Sequence, residues 1–476
     1  MKRIKKTKII ATLGPATSSV ESIESLIREG VDVLRINFSH TTHREAENVI
    51  KAIRKINDSL SANTAILADL QGPKLRIGEV SENTELKDGD NIIIKTGKEF
   101  KGDNKILYLS YNNLAKDIKK GEKILIDDGK IILKVIDIDK KNQIIAEVIQ
   151  GGILSSNKGF NLPNTNISQP ALTEKDIEDA IFSTKQNVDW IALSFVRNGS
   201  DIESLIKLLD KNTNHRIPVI AKIEKPEGVR NIDEIMKFAS GIMVARGDLG
   251  VEINAVEVPL IQKKLVNKAK KARIPVIIAT QMMESMMKSL NPNRAEVNDV
   301  ANSIMDGADA VMLSGETSVG EHPVEVIRTI SQIISKVENS DLILLKHKHP
   351  TDYDSERFIT KSVCYYAAKI ANDTKAKAIS TLTNSGYTAY QISSWRPKTH
   401  VLVFTSNKRI LTQLNLLWGV KAFYYNGTES TDRTIEEINE IAVKNNILQK
   451  DDKVVNLTSM PIEKKGMVNT VRVSKI

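Results

Sequence analysis

The feature that most constrains this chain is a rhythm. Eight short runs rich in Ile, Val, Leu and Ala recur at 8–12, 31–37, 65–69, 190–195, 218–224, 241–246, 275–280 and 310–314. Nearly every one is followed by a stretch with amphipathic helical spacing, among them 20–29, 45–60, 202–210, 232–238, 259–272, 296–305 and 324–337. The pattern reads as alternating strand and helix. Ser-x-x-Glu or Thr-x-x-Asp/Glu pairs at Ser18/Glu21, Thr42/Glu45, Thr173/Asp176 and Ser200/Glu203 mark four helix starts independently, because a side-chain oxygen there satisfies free amide groups.

One stretch interrupts the rhythm. Between Asp69 and Thr173 the pattern turns to short alternating strands with turn signals at 88–90, 127–129 and 139–142, as in an all-β insertion after the third strand. Removing it leaves about 240 residues up to position 340, close to the ~250 of an eightfold (β/α) barrel. Past a polar linker at 347–355, a helical run at 358–371 leads into strands at 376–381, 400–404 and 453–457, a further domain of open α/β type. The expected architecture is a (β/α)8 TIM barrel (1–73 with 171–340) split by a β-barrel lid (74–170) and followed by an α/β regulatory domain (352–476).

Composition narrows the classes of partner. The net charge of +9 admits an anionic partner, but the basic residues are spread over helix faces and aromatics are only 4%, too few to stack bases along a strip, so no nucleic-acid role is expected. Cys364 is the single cysteine, which excludes an intrachain disulfide and favours a reducing compartment. The apolar run after the basic N-terminus is too short for a signal peptide or membrane span, so no membrane association and a cytoplasmic location are expected. His347 and His349 read as a solvated loop rather than a metal site.

In a (β/α) barrel the chemistry sits at the C-terminal ends of the strands, and residues two apart on a strand point the same way. Those ends are unusually polar here: Arg35, Asn37 and Ser39; Asp69; Lys222 and Glu224; Arg246 and Asp248; Thr280; Ser314 and Glu316. All are expected to converge on one mouth. Lys222 and Glu224 follow the apolar run Pro-Val-Ile-Ala, where a Lys and a Glu cost free energy unless paired or working. Glu224 and Asp248, from adjacent strands, suit a Mg²⁺ that keeps waters and takes its remaining oxygens from substrate. Arg35 and Lys222 add the positive field that phosphoryl transfer needs, and the turn at 246–250 offers backbone amides to a carboxylate or phosphate.

At these residues the chain resembles pyruvate kinase, over its whole length and in the same domain order. The resemblance rests on Thr7-Lys-Ile-Ile-Ala-Thr-Leu-Gly-Pro15, Leu34-Arg-Ile-Asn-Phe-Ser-His40, Asp69-Leu-Gln-Gly-Pro-Lys-Leu-Arg-Ile-Gly78, Ala221-Lys-Ile-Glu224, Met243-Val-Ala-Arg-Gly-Asp-Leu-Gly250, Ala279-Thr-Gln-Met282 and Met312-Leu-Ser-Gly-Glu-Thr317. It implies transfer of the phosphoryl group of phosphoenolpyruvate to ADP, giving pyruvate and ATP in the last step of glycolysis. By the same resemblance, Glu224 and Asp248 hold Mg²⁺ (or Mn²⁺), and Lys222 stabilises the transferring phosphoryl and the enolate. Arg35 and Arg76 contact phosphate, and Gly247, Asp248 and Thr280 line the phosphoenolpyruvate site. Either Thr280 or a relayed water protonates the enolate. Pro15, Asn37, His40, Arg76 and Lys175 correspond to the nucleotide side, His40 alternatively being an ordinary helix-entry residue. The β insertion becomes a lid hinged at Gly72-Pro73 and Gln169-Pro170.

Two departures bear on ions and regulation. Many family members bind K⁺ through residues matching Asn37, Ser39 and Asp69, followed by a Thr, and carry Glu at position 74; here stand Leu70 and Lys74, resembling the K⁺-independent branch. The Lys74 ammonium is then a fixed monovalent cation in place of K⁺, which becomes dispensable. The run 383–389, with Thr383, Ser385, Gly386 and Thr388, either cradles a phosphorylated effector as the family's effector loop does or is capped ordinarily by Ser385. The residues around 464–468 lack the Trp of some sugar-bisphosphate-activated relatives. The family is usually homotetrameric. Competing readings are a metal-dependent carbon–carbon lyase on a similar barrel and a catalytically silent nucleotide or phosphosugar sensor.

Overall fold

A computed structural model describes residues 5–139, 143–340, 343, 349–427, 430–460 and 467–476. Strands β1 (Lys8–Thr12), β2 (Val33–Asn37), β3 (Ala65–Asp69), β4 (Trp190–Leu193), β5 (Val219–Ile223), β6 (Gly241–Ala245), β7 (Val276–Ala279) and β8 (Ala310–Leu313) close a parallel barrel in the spatial order β1-β8-β7-β6-β5-β4-β3-β2. Side chains alternate along each strand. Ile10, Val33, Leu67, Trp190, Ile220, Met243, Ile277 and Met312 fill the interior, while Ile9, Leu34, Ile66, Ile191, Ala221, Ile242, Ile278 and Val311 pack outward under the helices. Strands β4 to β8 stop one or two residues short of the expected ends. The chain turns out of the ladder there, at Phe195 (φ 55°) and Thr280 (φ 69°), because those residues build the mouth instead of pairing.

Two of the helix starts differ from expectation. The capping boxes Thr42/Glu45 and Thr173/Asp176 are present, but the first helix is capped by Ser19 accepting from Ser22 N–H, not by Ser18 with Glu21. Asn198, accepting from Asp201 N–H, displaces Ser200/Glu203, since an Asn two residues earlier reaches the same orphan amides. A further box, Asn293/Glu296, starts the helix Arg294–Asp306.

The insertion forms a six-stranded sheet in the order Phe160–Asn161, Lys123–Ile126, Ile131–Ile138, Ile144–Gln150, Asn91–Lys95 and Ile106–Tyr108, with a separate pair, Glu85–Leu86 and Gly152–Ile153. Ile92, Ile94, Leu107, Ile124, Leu133 and Ala146 give it a core of its own. It is not wholly β, because Leu114–Asp117 makes one helical turn. Part of the 139–142 turn lies outside the described residues.

The C-terminal unit is a five-stranded sheet in the order Val420–Tyr424, His400–Thr405, Ala378–Leu382, Lys453–Thr458 and Thr470–Lys475, the last antiparallel. The two edge strands were not anticipated. Lys421, Arg472 and Lys475 break up the continuous apolar run by which a buried strand announces itself, as edges exposed to solvent do. Ser385 is no cap: the helix Tyr387–Ser394 follows Gly386 at φ 83°, and Thr383 Oγ1 accepts the Gly386 N–H at 3.0 Å. His349 is half-buried edge-on to Tyr365 rather than solvated, and His347, like 464–466, lies outside the described residues. This unit floors the barrel: Leu416 packs into the interior beside Trp190, whose Nε1–H donates to the Gln413 carbonyl at 3.2 Å.

Candidate active site

The parity that points Val33, Leu67 and Ile220 into the barrel points Arg35, Asp69, Lys222 and Glu224 into it one or two steps later. At the mouth these polar groups stand on the apolar layer and satisfy one another. Arg35 Nε donates to Asp69 Oδ2 at 2.6 Å and its Nη1 to Thr12 Oγ1 at 3.0 Å. The Lys222 ammonium lies 3.3 Å from Asp69 Oδ1, 3.0 Å from Glu224 Oε1, and donates to Ser194 Oγ at 2.7 Å. Ser194 was missed in the sequence. It stands two residues beyond Ala192, so the same parity rule carried along β4 finds it.

Burial would drive the proton off Lys222, but Asp69 and Glu224 outweigh it and hold the ammonium above the ordinary lysine range. Asp69 is likewise buried, yet Lys222 and Arg35 keep its carboxyl below the usual range. Glu224 goes the other way. Burial, and the negative charge of Asp248, raise its carboxyl despite Lys222, with Phe195 N–H donating to Oε2 at 2.7 Å. Asp248 is exposed and its carboxylate has no protein partner among the described residues. Two facing carboxylates that repel each other, one held rigid and one unpartnered, fit a divalent ion. No set of three or more acidic, His or Cys groups able to cage a metal occurs among the described residues, which suits an ion that takes its other oxygens from water and substrate.

Thr280 sits across the mouth. Its Oγ1 donates to the Ala279 carbonyl at 2.6 Å and accepts the Gly247 N–H at 2.7 Å. A β-branched residue at positive φ is strained, and here the strain aims the hydroxyl. The segment 246–250 is no glycine turn but the first part of a short helix, Arg246–Glu252, and its Gly247 amide is already engaged.

Two further strand-end residues leave the mouth, against expectation. Arg246 turns outward to Asp299 (2.7 Å) and the Thr280 carbonyl (2.7 Å). Glu316 accepts the N–H groups of Met283 (3.0 Å) and Ser314 (2.7 Å), so both residues pin loops.

On the other rim, Asn37 Oδ1 accepts the Ser39 N–H at 3.1 Å, and Lys175 Nζ donates to the Phe38 carbonyl at 2.8 Å and to Asp179 at 2.5 Å. His43, stacked on Phe182 with centroids 4.2 Å apart, bonds the same Asp179, an aromatic brace that the sequence motifs did not flag. His40 and Pro15 are exposed. Partial burial and the cations Lys74, Arg76 and Arg35 push the His40 imidazole below its ordinary value. The insertion supplies Lys74 and Arg76, the latter anchored to the Asn157 carbonyl at 2.8 Å. Desolvation and Arg76 lower the Lys74 ammonium, against Asp248 and Asp128. A cleft of about 110 Å³ between the insertion and the barrel is lined by Lys74, Asp128, Phe195 and Asp248, and Asn161 of the insertion donates to Glu252 of the barrel at 2.7 Å. Thr383, Ser385, Gly386 and Thr388 belong to the C-terminal unit, not to this mouth.

Family models for the pyruvate kinase barrel domain and the pyruvate kinase alpha/beta domain match residues 4–327 and 361–474. The chain belongs to the pyruvate kinase family. It is 41% identical over 98% of its length to 97% of the pyruvate kinase of Corynebacterium efficiens, and 40% identical over its full length to 81% of that of Geobacillus stearothermophilus. The crystal structure of a pyruvate kinase from Cryptosporidium parvum superposes with a TM-score of 0.91 at 32% identity, covering 99% of this chain and 96% of the other. Pyruvate kinases are phosphotransferases that use a divalent metal, and the function of this chain is that of a pyruvate kinase. Each of these relatives is named a pyruvate kinase, not a lyase or a sensor. No described helix is long and apolar enough to cross a membrane.

Proposed function

We propose that the chain moves the phosphoryl group of phosphoenolpyruvate onto ADP at the mouth built by Arg35, Lys222, Glu224, Asp248 and Thr280. The observation that carries this reading is the Lys222 ammonium, held charged inside the barrel by Asp69, Glu224 and Ser194. Phosphoryl transfer asks chiefly for positioned positive charge, because little covalent work falls to the protein. Arg35, locked by Asp69 and Thr12, grips the phosphate. Lys222 faces the charge that develops on the transferring group and on the enolate left behind. Glu224 and Asp248 hold Mg²⁺ (or Mn²⁺), which when bound neutralises phosphate and enolate oxygens. Thr280, or a water it orients, serves the face where the enolate takes its proton, and Gly247 fixes that hydroxyl.

Pro15, Asn37, His40, Arg76 and Lys175 border the nucleotide, where the His40 ring offers a hydrogen-bonding nitrogen. The unit 74–170 swings on Gly72-Pro73 and Gln169-Pro170 to exclude water, bringing Lys74 over the mouth in place of K⁺. The unit 352–476 carries a phosphorylated effector at Thr383–Thr388. The exposed Val256, Leu260 and Leu290 on the barrel flank support assembly as a homotetramer.

A coupled pyruvate assay with phosphoenolpyruvate and ADP tests the reading. Mg²⁺-dependent turnover that falls by about 10³ or more in Lys222→Met is expected. Absence of turnover with Mg²⁺ or Mn²⁺ under any added phosphorylated effector overturns it.

A further inference from the structure

The opposite end of the barrel holds a second concentration of positive charge. A cavity of about 510 Å³ opens there between the barrel floor and the C-terminal sheet. Its wall carries Lys6, Lys375, Lys377, Arg396, Lys398 and His400, against Glu338 as the only carboxylate among the described lining residues. Glu338 is already occupied, accepting the backbone N–H groups of Lys6 (2.9 Å) and Thr7 (2.6 Å). Lys375 and Lys377 make no ion pair among the described residues.

The same wall holds unmade hydrogen bonds. Thr399, 7% exposed, has a buried hydroxyl with no partner; Arg396, also 7% exposed, has an unpartnered Nε–H; and His400 Nδ1 is buried and unpaired. Each unmade bond in a buried place costs about 1–3 kcal/mol, and three fall within five residues here. Burial and the surrounding Lys6, Lys8 and Lys421 push the His400 imidazole down to about 4, which independently reports the positive field.

We propose that this cavity binds a small phosphate ester, at a site separate from the 383–388 loop. A phosphate dianion brings three acceptor oxygens to the lysines of the wall, and a shift of the 396–400 segment on binding brings the buried Arg396 Nε–H and Thr399 hydroxyl within its reach. The volume exceeds what inorganic phosphate fills and lies in the range of small-molecule sites, while Trp418, Pro397, Ala371 and Ala376 give an organic body an apolar wall. The occupant touches both units. Arg396 Nη2 also donates to Asp309 Oδ2 at 2.7 Å, and that oxygen accepts the N–H of Val276 at 3.0 Å, the first residue of β7. Binding therefore fastens the C-terminal unit to the strand whose far end leads into Thr280.

Calorimetric titration of the full chain with ribose 5-phosphate, AMP, inorganic phosphate and uncharged ribose tests the site. The expected result is that one of the two esters binds, ribose does not, and which ester binds tells a sugar phosphate from a nucleotide. Ser385→Glu, which spoils the loop, leaves this binding in place, whereas Lys377→Glu and Thr399→Val each weaken it at least tenfold. Thr399→Val also melts at or above the unliganded wild-type temperature, because it removes an unpaired hydroxyl, so its lost affinity is not lost folding. Ester binding that is abolished by Ser385→Glu and indifferent to Lys377→Glu and Thr399→Val overturns the proposal while leaving the loop reading intact. No ester binding at all overturns the proposal and leaves the loop reading standing.

Discussion

At the scale of the residue, function is written as departures from what each position would otherwise hold. A lysine and a glutamate on an interior face are costly, and the cost is offset by a closed set of partners: Asp69, Ser194, Arg35 and Thr12. Asp69 and Arg35 were legible because the polar strand ends stand out against their apolar runs; Ser194 and Thr12 were not singled out. What was not legible was which strand-end side chains would turn away. Arg246 shares the outward parity of Ile242 and Val244 and turns to Asp299, whereas Glu316 has the inward parity of Met312, and only the Met283 and Ser314 amides decide that it faces elsewhere. Thr280→Val keeps the shape but leaves the Gly247 N–H without its acceptor. A fall of about 10²-fold in kcat is expected, with Tm lowered by only a few degrees and activity largely restored in Thr280→Ser, as steady-state kinetics and melting will read. If the Lys74 ammonium stands in for a monovalent ion, turnover will be equal in Na⁺, K⁺ and tetramethylammonium buffers, and Lys74→Glu will make it K⁺-dependent. Strict K⁺ activation of the wild type would sink that role.

Elements carry the site as much as residues do. The β3 strand passes into the insertion through Gly72, at φ 70°, where a Cβ would stand 2.8 Å from the Phe195 ring and 2.9 Å from Ser194 Cβ. Those two neighbours hold Glu224 and Lys222. Gly72→Ala is therefore expected to cost about 2–4 kcal/mol from overlap and backbone strain, and to cut kcat at least tenfold. Unfolding and kinetic measurements on one sample check both; unchanged kcat would show that the hinge does not set the mouth. Barrel strands were legible from their unbroken apolar runs. The edge strands Val420–Tyr424 and Thr470–Lys475 were not, since an edge keeps its charges, and helix starts slipped where two capping residues lay close together, as at Asn198 and Ser200.

For the whole molecule, the two ends of the barrel differ in charge: the mouth sets Arg35, Lys74 and Lys222 against Asp69, Glu224 and Asp248, while the floor is basic, with the apolar layer around Trp190 and Met243 between them. Nothing in the sequence marks the floor, because its cations come from segments nearly 400 residues apart. His400 gives that end a pH signature. An unfolded chain binds its proton near pH 6.5, the folded one only near 4, so stability is fully present above 6.5 and declines as pH falls to 4, by up to about 3 kcal/mol. The wild-type denaturation midpoint should drop over that window relative to His400→Gln; parallel curves would contradict it.

Closure of the ring has a temporal side as well. On one side β1 pairs with β2, but its other neighbour is β8, with Lys8 opposite Ala310. At roughly 5–20 residues per second of synthesis, about 15–60 s pass before that partner exists. Through that interval a nascent half-ring shows one bare parallel edge, Ile9-Ile10-Ala11, guarded chiefly by Lys5, Lys6 and Lys8. The insertion lengthens the wait by some hundred residues, so the unit that overhangs the mouth of the finished barrel prolongs the barrel's exposure to aggregation while it is being made.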